Sequence, residues 1–184
     1  MNQDFPILIV PGIGNSDPLH WQSRWQASDR RYQRVMQSEW DAPRCNDWIV
    51  GLEQHVKQLE GPVVLVAHSA GCALVLRWWW CTSLDNQRKI LGALLVAPAD
   101  PDGENFPKAA TGFSPMPLDL LPFPSTVVCS DNDPYISARR AGEYAQAWGS
   151  RFVLLKQLGH INAESNLGMW DEGRELLNGL CTRY

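Results

Sequence analysis

The stretch Gly61-Pro62-Val63-Val64-Leu65-Val66-Ala67-His68-Ser69-Ala70-Gly71-Cys72 decides how this chain is read. A Val-rich apolar run stops at a Ser flanked by small residues, and a helix-like segment follows at once. That is the layout of a nucleophile elbow, a tight strand-to-helix turn that lifts a Ser hydroxyl clear of a sheet. Ala67 and Gly71 stand two before and two after the Ser, where a larger side chain would collide as strand and helix pass. The usual pattern is Gly-x-Ser-x-Gly, and here Ala occupies the first position. The plain alternative for Ser69 is an ordinary helix N-cap, a place that also favours Ser.

Working outward, short apolar runs alternate with longer helix-like segments. Strands are expected at residues 6–10, 34–38 (the weaker one), 90–97, 126–130 and 151–156, besides the one entering Ser69. Helices are expected at 19–26, where Trp21 and Trp25 share a face, and at 70–81, 137–148 and 164–180. A further helix, capped by Asn46 or Asp47, carries Ile49, Leu52, Val56 and Leu59 inward. Strands separated by helices imply parallel pairing with right-handed crossovers. The expected class is therefore an α/β sheet with helices on both faces and the elbow strand near its centre. Residues 100–125, studded with Pro and Gly, form a long irregular stretch expected to cover part of the site.

Composition narrows the function. At 184 residues the chain is expected to form one domain. A net charge of −4 with no basic face argues against nucleic acid as partner. No apolar run approaches the ~20 residues of a membrane helix, and residues 1–4 do not begin a signal peptide. Cys45, Cys72, Cys81, Cys129 and Cys181 are irregularly spaced and odd in number, which reads as reduced thiols in a cytoplasmic protein. No metal or other cofactor is implied, because no His or Cys pair has ligand spacing.

A Ser hydroxyl needs a base to act as a nucleophile, usually a His oriented by a carboxylate. Hydrolases of the α/β type supply them in the order Ser, acid, His, each after a strand end. Asp133 lies in Ser130-Asp131-Asn132-Asp133-Pro134-Tyr135, just beyond the fifth strand, and His160 lies in Leu158-Gly159-His160-Ile161-Asn162, after the sixth. Parallel strands bring both loops to the sheet edge that carries Ser69. Asp131 and Asp100 are rival acids, and Asp133 before Pro134 also suits a turn. For the oxyanion, the Ala70 amide is one donor by position. The second comes from Pro11-Gly12-Ile13-Gly14-Asn15, with Ile13 favoured and Gly14 the alternate.

Four motifs together give the chain a resemblance that spans nearly its whole length. They are Val10-Pro11-Gly12 followed by His20-Trp21, the elbow, the acid loop and Gly159-His160-Ile161-Asn162. The chain resembles the small serine hydrolases of the α/β-hydrolase superfamily that include bacterial YdeN and retinoblastoma-binding protein nine. The resemblance implies a compact fold with a six-stranded sheet, no large cap domain, and a triad of Ser69, Asp133 and His160. It implies hydrolysis of a small ester, thioester or amide acyl substrate through an acyl-enzyme, with a carboxylesterase as the expected activity. It also carries a second reading, a protein-interaction module with little turnover.

Other residues admit two readings each. His55 sits in a helical pattern and reads as surface or interface. His68 is expected to point away from the triad, as packing or a pocket wall. His20 either lines the pocket with Gly12 and Gly14 or bonds backbone at a helix start. Trp78, Trp79 and Trp80 cannot share one helix face, so one should reach the surface, a substrate wall or a contact between copies in a homo-oligomer. Arg139 and Arg140 read as a solvated face.

Overall fold

A computed structural model describes residues 5–181, so residues 1–4, read above for a leader, lie outside the described part. Six strands form one parallel sheet: β1 (Ile7–Val10), β2 (Tyr32–Arg34), β3 (Val63–His68), β4 (Ile90–Val96), β5 (Ser125–Ser130) and β6 (Arg151–Leu155). Their spatial order is β2-β1-β3-β4-β5-β6, which places the elbow strand inside the sheet. The helices are α1 (Trp21–Ser28), α2 (Cys45–Gln58), α3 (Ala70–Cys81), α4 (Leu84–Gln87), α5 (Ala138–Trp148) and α6 (Asp171–Cys181).

Strand side chains alternate between two cores, as period-two geometry demands. Leu8, Val10, Leu65, Ala67, Leu95 and Val127 face one side, where they join residues of α2, α3 and α5. Ile9, Val64, Val66, Leu94, Val96 and Val128 face the other, against Trp21 and Trp25 of α1 and Leu177 and Leu180 of α6. Burial on both faces explains why these strands read as unbroken apolar runs.

Several boundaries differ from the sequence expectation, each for a visible reason. β2 begins earlier than residue 34 because Asp29 accepts from the Arg31 amide in a turn after α1, which delivers Tyr32 into register opposite Ile7. Past Arg34 only the Val35 amide still reaches Ile9 O (2.9 Å). Neither Asn46 nor Asp47 caps α2. Arg44 is the cap residue and makes no side-chain capping bond. The first amide, Cys45 N–H, is satisfied instead by Thr111 O at 2.9 Å, from the long irregular stretch. The helix expected over residues 164–180 is split. A 3₁₀ turn at Ala163–Ser165, boxed by Asn162 and Ser165, ends at Asn166 with φ 52°, and α6 starts only at Asp171.

The stretch between β4 and β5 is packed rather than loosely draped. Phe113, Met116, Leu121 and Phe123 are buried in the core. Arg77 Nε donates to Phe113 O (2.9 Å) and Trp148 Nε1 to Pro117 O (2.8 Å). Of the three consecutive tryptophans, Trp78 and Trp79 are buried and Trp80 is 52% exposed. Trp78 Nε1 donates to Glu53 (2.7 Å), which also accepts from Thr82 and Asn86. Arg139 is a solvated residue, while Arg140, its side chain 32% exposed, also turns inward: its guanidinium pairs with Asp100 at 3.1 Å and lies 4.6 Å from the Tyr144 ring centroid.

Among the glycines, the tightest approach to another backbone is that of α3 to β1. A Cβ built on Gly71 would lie 2.5 Å from Val10 O and 2.7 Å from Pro11 O, both backbone atoms that cannot swing away. Ala67, paired with Val10 across the sheet, is wholly buried in the same corner. Gly71→Ala is expected to lower the free energy of unfolding by about 2 kcal/mol, as overpacking against fixed atoms does. Gly61→Ala, whose Cβ would meet nothing within 4 Å, should shift it by less than about 0.5 kcal/mol; urea titration of both variants checks the contrast.

Candidate active site

Three strand ends supply the site. Ser69 follows β3 with φ 56° and ψ −127°, outside the regions open to most L-residues. Its amide donates to Val96 O on the neighbouring strand (3.0 Å). Gly12 after β1 must be bare, since a Cβ there would come within 2.7 Å of Ser69 Cβ and 3.2 Å of its Oγ. The turn therefore holds the hydroxyl out at the carboxyl edge of the sheet, between two backbones.

His160 Nε2 lies 2.8 Å from Ser69 Oγ. On the other side of the ring, Nδ1 lies 3.0 and 2.9 Å from the two carboxylate oxygens of Asp133. The Asp133 side chain has no solvent exposure and that of His160 only 9%. A neutral imidazole here accepts from the Ser hydroxyl and donates to the carboxylate. The rival acids are committed elsewhere: Asp131 Oδ1 accepts from the Gln157 amide, and Asp100 accepts from Tyr144 Oη and Arg140.

The acid loop also holds the His loop in place, through Ser130 and Asn132. Leu158 N–H donates to Ser130 Oγ (2.9 Å), and Gly159 N–H to Asn132 Oδ1 (2.8 Å). The Ser130 hydroxyl donates in turn to Asn132 Oδ1 (2.7 Å). Trp21 Nε1 donates to Ile161 O at 2.8 Å, so α1 steadies the same loop from the opposite side. The imidazole itself sits between Tyr135 and His68, with ring centroids 4.5 and 4.9 Å away.

His68 does not point away from this group, as the sequence reading expected. Its Nε2–H donates to the carbonyl of His160 (2.9 Å) and its ring walls the cavity. Burial is the main cause holding its pKa well below the ordinary value of 6.5, with His20 and His160 adding to it. His20 satisfies both of its readings: its Nδ1 caps α1 by accepting from the Gln22 amide (3.1 Å), and it lines the cavity. His55 is half-buried on α2 and bonds only backbone.

The cavity holds about 290 Å³. Ile13, His20, His68, Ser69, Tyr135 and His160 face it, with Phe106 and Pro107 from the long stretch forming one wall. Gly12 and Gly14 do not line it. The Gly14 amide donates to Trp40 O (2.8 Å), which removes it as the alternate oxyanion donor. Ala70, in the first turn of α3, has no carbonyl one turn earlier to bond. Asp17 and Glu164 also border the cavity and were not singled out from sequence. Their signal was weak, since each is one acid among many in a chain of net charge −4.

Burial lowers the His20 pKa to about 4, with Arg34 and His160 pushing the same way and Asp17 opposing. Between pH 6.5 and about 4 the unfolded chain therefore binds a proton at His20 that the folded chain refuses. The contribution is whole above pH 6.5, is lost as pH falls through that window, and levels off below it. Wild type should lose about 2–3 kcal/mol more than His20→Asn between pH 7 and pH 4.5, read by urea unfolding.

Comparison with known proteins agrees with this architecture. A family profile described as Serine hydrolase matches residues 7–179. A YdeN-like hydrolase of Pectobacterium atrosepticum superposes with a TM-score of 0.84 at 31% identity, over 96% of this chain and 90% of that one. The ydeN gene product of B. subtilis gives 0.70 at 16% identity, over 97% and 99%. A thermophilic esterase from Thermogutta terrifontis gives 0.67 at 17%, over 96% and 90%. Among curated proteins none matches significantly. With its parallel six-stranded sheet and its Ser at a strained strand-to-helix turn, the chain belongs to the serine hydrolase family of the α/β-hydrolase superfamily.

Proposed function

We propose that this hydrolase is a carboxylesterase for small acyl substrates, acting through Ser69, His160 and Asp133. The observation that carries the reading is the unbroken line from Ser69 Oγ to His160 Nε2 (2.8 Å) and from Nδ1 to the Asp133 carboxylate (2.9 Å). In that line His160 takes the Ser69 proton as Oγ attacks the substrate carbonyl, and Asp133 stabilises the imidazolium that results. The amides of Ile13 and Ala70 receive the developing oxyanion. His160 then protonates the leaving group, and water, deprotonated by the same imidazole, releases the acyl-enzyme.

The cavity's lining favours small substrates without negative charge. Its volume of about 290 Å³ sits at the lower end of ordinary small-molecule sites. Asp17 and Glu164 border it, and no Lys or Arg among the described residues does. An ester suits the site better than an amide because its leaving group needs less help in departing; thioesters use the same residues. All five thiols are free, which fits a reducing, cytoplasmic setting. The pKa values of Cys45 and Cys129 are pushed up by burial to about 11 and about 12, and that of Cys72 still higher, so none of these three competes with Ser69 as nucleophile.

A fluorophosphonate probe should label wild type at Ser69 and leave Ser69→Ala unlabelled, as seen by intact-mass spectrometry; an unreactive wild type would refute the proposal. Asp133→Asn should lower kcat on p-nitrophenyl butyrate by about 10⁴-fold, because the amide favours the wrong imidazole tautomer. A loss below tenfold would remove Asp133 from the triad.

A further inference from the structure

Arg34, the last residue of β2, is half-buried and spends every nitrogen of its guanidinium on neutral oxygens. Nε donates to Gln26 Oε1 (2.7 Å) and Nη2 to Ser23 Oγ (2.7 Å), while Nη1 donates to Asn15 Oδ1 and to Ser16 O (3.2 Å). Two of these bonds reach α1 and two reach the loop between β1 and α1. No carboxylate among the described residues pairs with it. Drawing a cation partly out of water without a counter-charge is costly, so the place it occupies calls for a reason.

The loop it holds supplies one. Gly12, Ile13, Gly14 and Asn15 make a turn closed by Asn15 N–H donating to Gly12 O (3.2 Å). Gly14 (φ 77°) and Asn15 (φ 61°) are both left-handed, a conformation that an Asn keeps only when its surroundings enforce it. Asn15 Oδ1 is fixed between Arg34 and the Ser16 amide (2.8 Å). Trp40 O holds the Gly14 amide from another direction (2.8 Å). At its start the turn abuts the nucleophile elbow, since a Cβ on Gly12 would lie 3.2 Å from Ser69 Oγ. Between these anchors, Ile13 lines the cavity and its N–H donates to no group among the described residues.

We propose that Arg34 is a positioning residue: through Asn15 it sets the turn so that the Ile13 N–H meets the oxyanion formed when Ser69 attacks. This rests on the ester-hydrolysis reading above. Arg34 does not border the cavity, so it touches no substrate and acts only through the turn. Without it, Asn15 Oδ1 keeps the adjacent Ser16 amide alone, and nothing from β2 restrains the turn. A misplacement of about 1 Å at a reacting centre can cost about 100-fold in rate.

The test compares p-nitrophenyl acetate with its thiono analogue, in which C=S replaces the acyl C=O. Sulfur accepts hydrogen bonds poorly, so a well-placed oxyanion donor favours the oxygen ester. The ratio of the two kcat/KM values is divided by the ratio of the hydroxide-catalysed rates, which removes the intrinsic difference in reactivity. In Arg34→Met, kcat on the oxygen ester should fall about 30-fold with KM within about twofold, and the normalised ratio should fall about tenfold. Arg34→Lys keeps the charge but not the planar fork, and its ratio should lie between those of wild type and Arg34→Met. Partial unfolding lowers both rates alike and leaves the ratio intact. If Arg34→Met does not fold, a ratio in Arg34→Lys below that of wild type carries the test. A normalised ratio near one in wild type, a ratio unchanged by the substitutions, or a loss confined to KM overturns the proposal. A wild type that reacts with the phosphonate, beside Arg34 variants with its ratio, removes only the role of Arg34; a wild type inert to the phosphonate and to both esters refutes ester hydrolysis itself.

Discussion

Two backbones pass so closely beside Ser69 that only particular residues fit there, and the rest of the structure is arranged around that contact. Gly71 lies where a Cβ would meet two carbonyl oxygens of β1 and its following loop, and Gly12 lies where one would meet Ser69 itself. The reward is a Ser held at φ 56°, a conformation that costs about 1–3 kcal/mol and persists only when its surroundings over-determine it. Those surroundings are a wholly buried β3 flanked by β1 and β4. A hydroxyl placed by packing of this kind has little freedom to drift from the imidazole of His160.

The imidazole beside it is positioned by a different means. His160 sits in a loop, with left-handed residues on either side at Gly159 and Ile161, so no regular element fixes it. Polar groups do so instead. Ser130 and Asn132 hold the backbone before it, His68 holds its own carbonyl, and Trp21 holds the carbonyl after it. Packing thus fixes one partner of the Ser69–His160 pair and a hydrogen-bonded cage fixes the other. The acid loop contributes to both the charge of the site and its geometry.

Much of this was written plainly in the sequence. The elbow helix matched its expected bounds of 70–81, because a Val-rich strand, a Ser and a small-residue run admit few other arrangements. Chain order and parallel pairing were enough to bring Asp133 and His160 to Ser69. What was not legible depended on partners far away along the chain. Cys45 starts α2 because Thr111 supplies its acceptor, and Arg140 turns inward because Asp100 waits across a loop. The orientation of His68 failed for a related reason. The loop bearing His160 packs Ile161 against the same face as Val64 and Val66, which brings His68 Nε2 to the His160 carbonyl. The oxyanion alternate Gly14 was lost to Trp40, a bond between two irregular segments that no periodicity announces.

The hydrogen bond from Cys45 to Thr111 has an effect beyond starting a helix. It anchors the chain just past Phe106 and Pro107, while Asn105 Nδ2 donates to Pro134 O on the near side (2.7 Å). The aromatic wall is thus pinned on both flanks before any guest arrives. Little ordering entropy remains to be lost on complex formation. Exchanging the side chains at 106 and 107 would then recast the shape of the chamber while leaving Ser69, His160 and Asp133 where they stand. Diversification among relatives can proceed through such a panel without disturbing the chemistry beneath it.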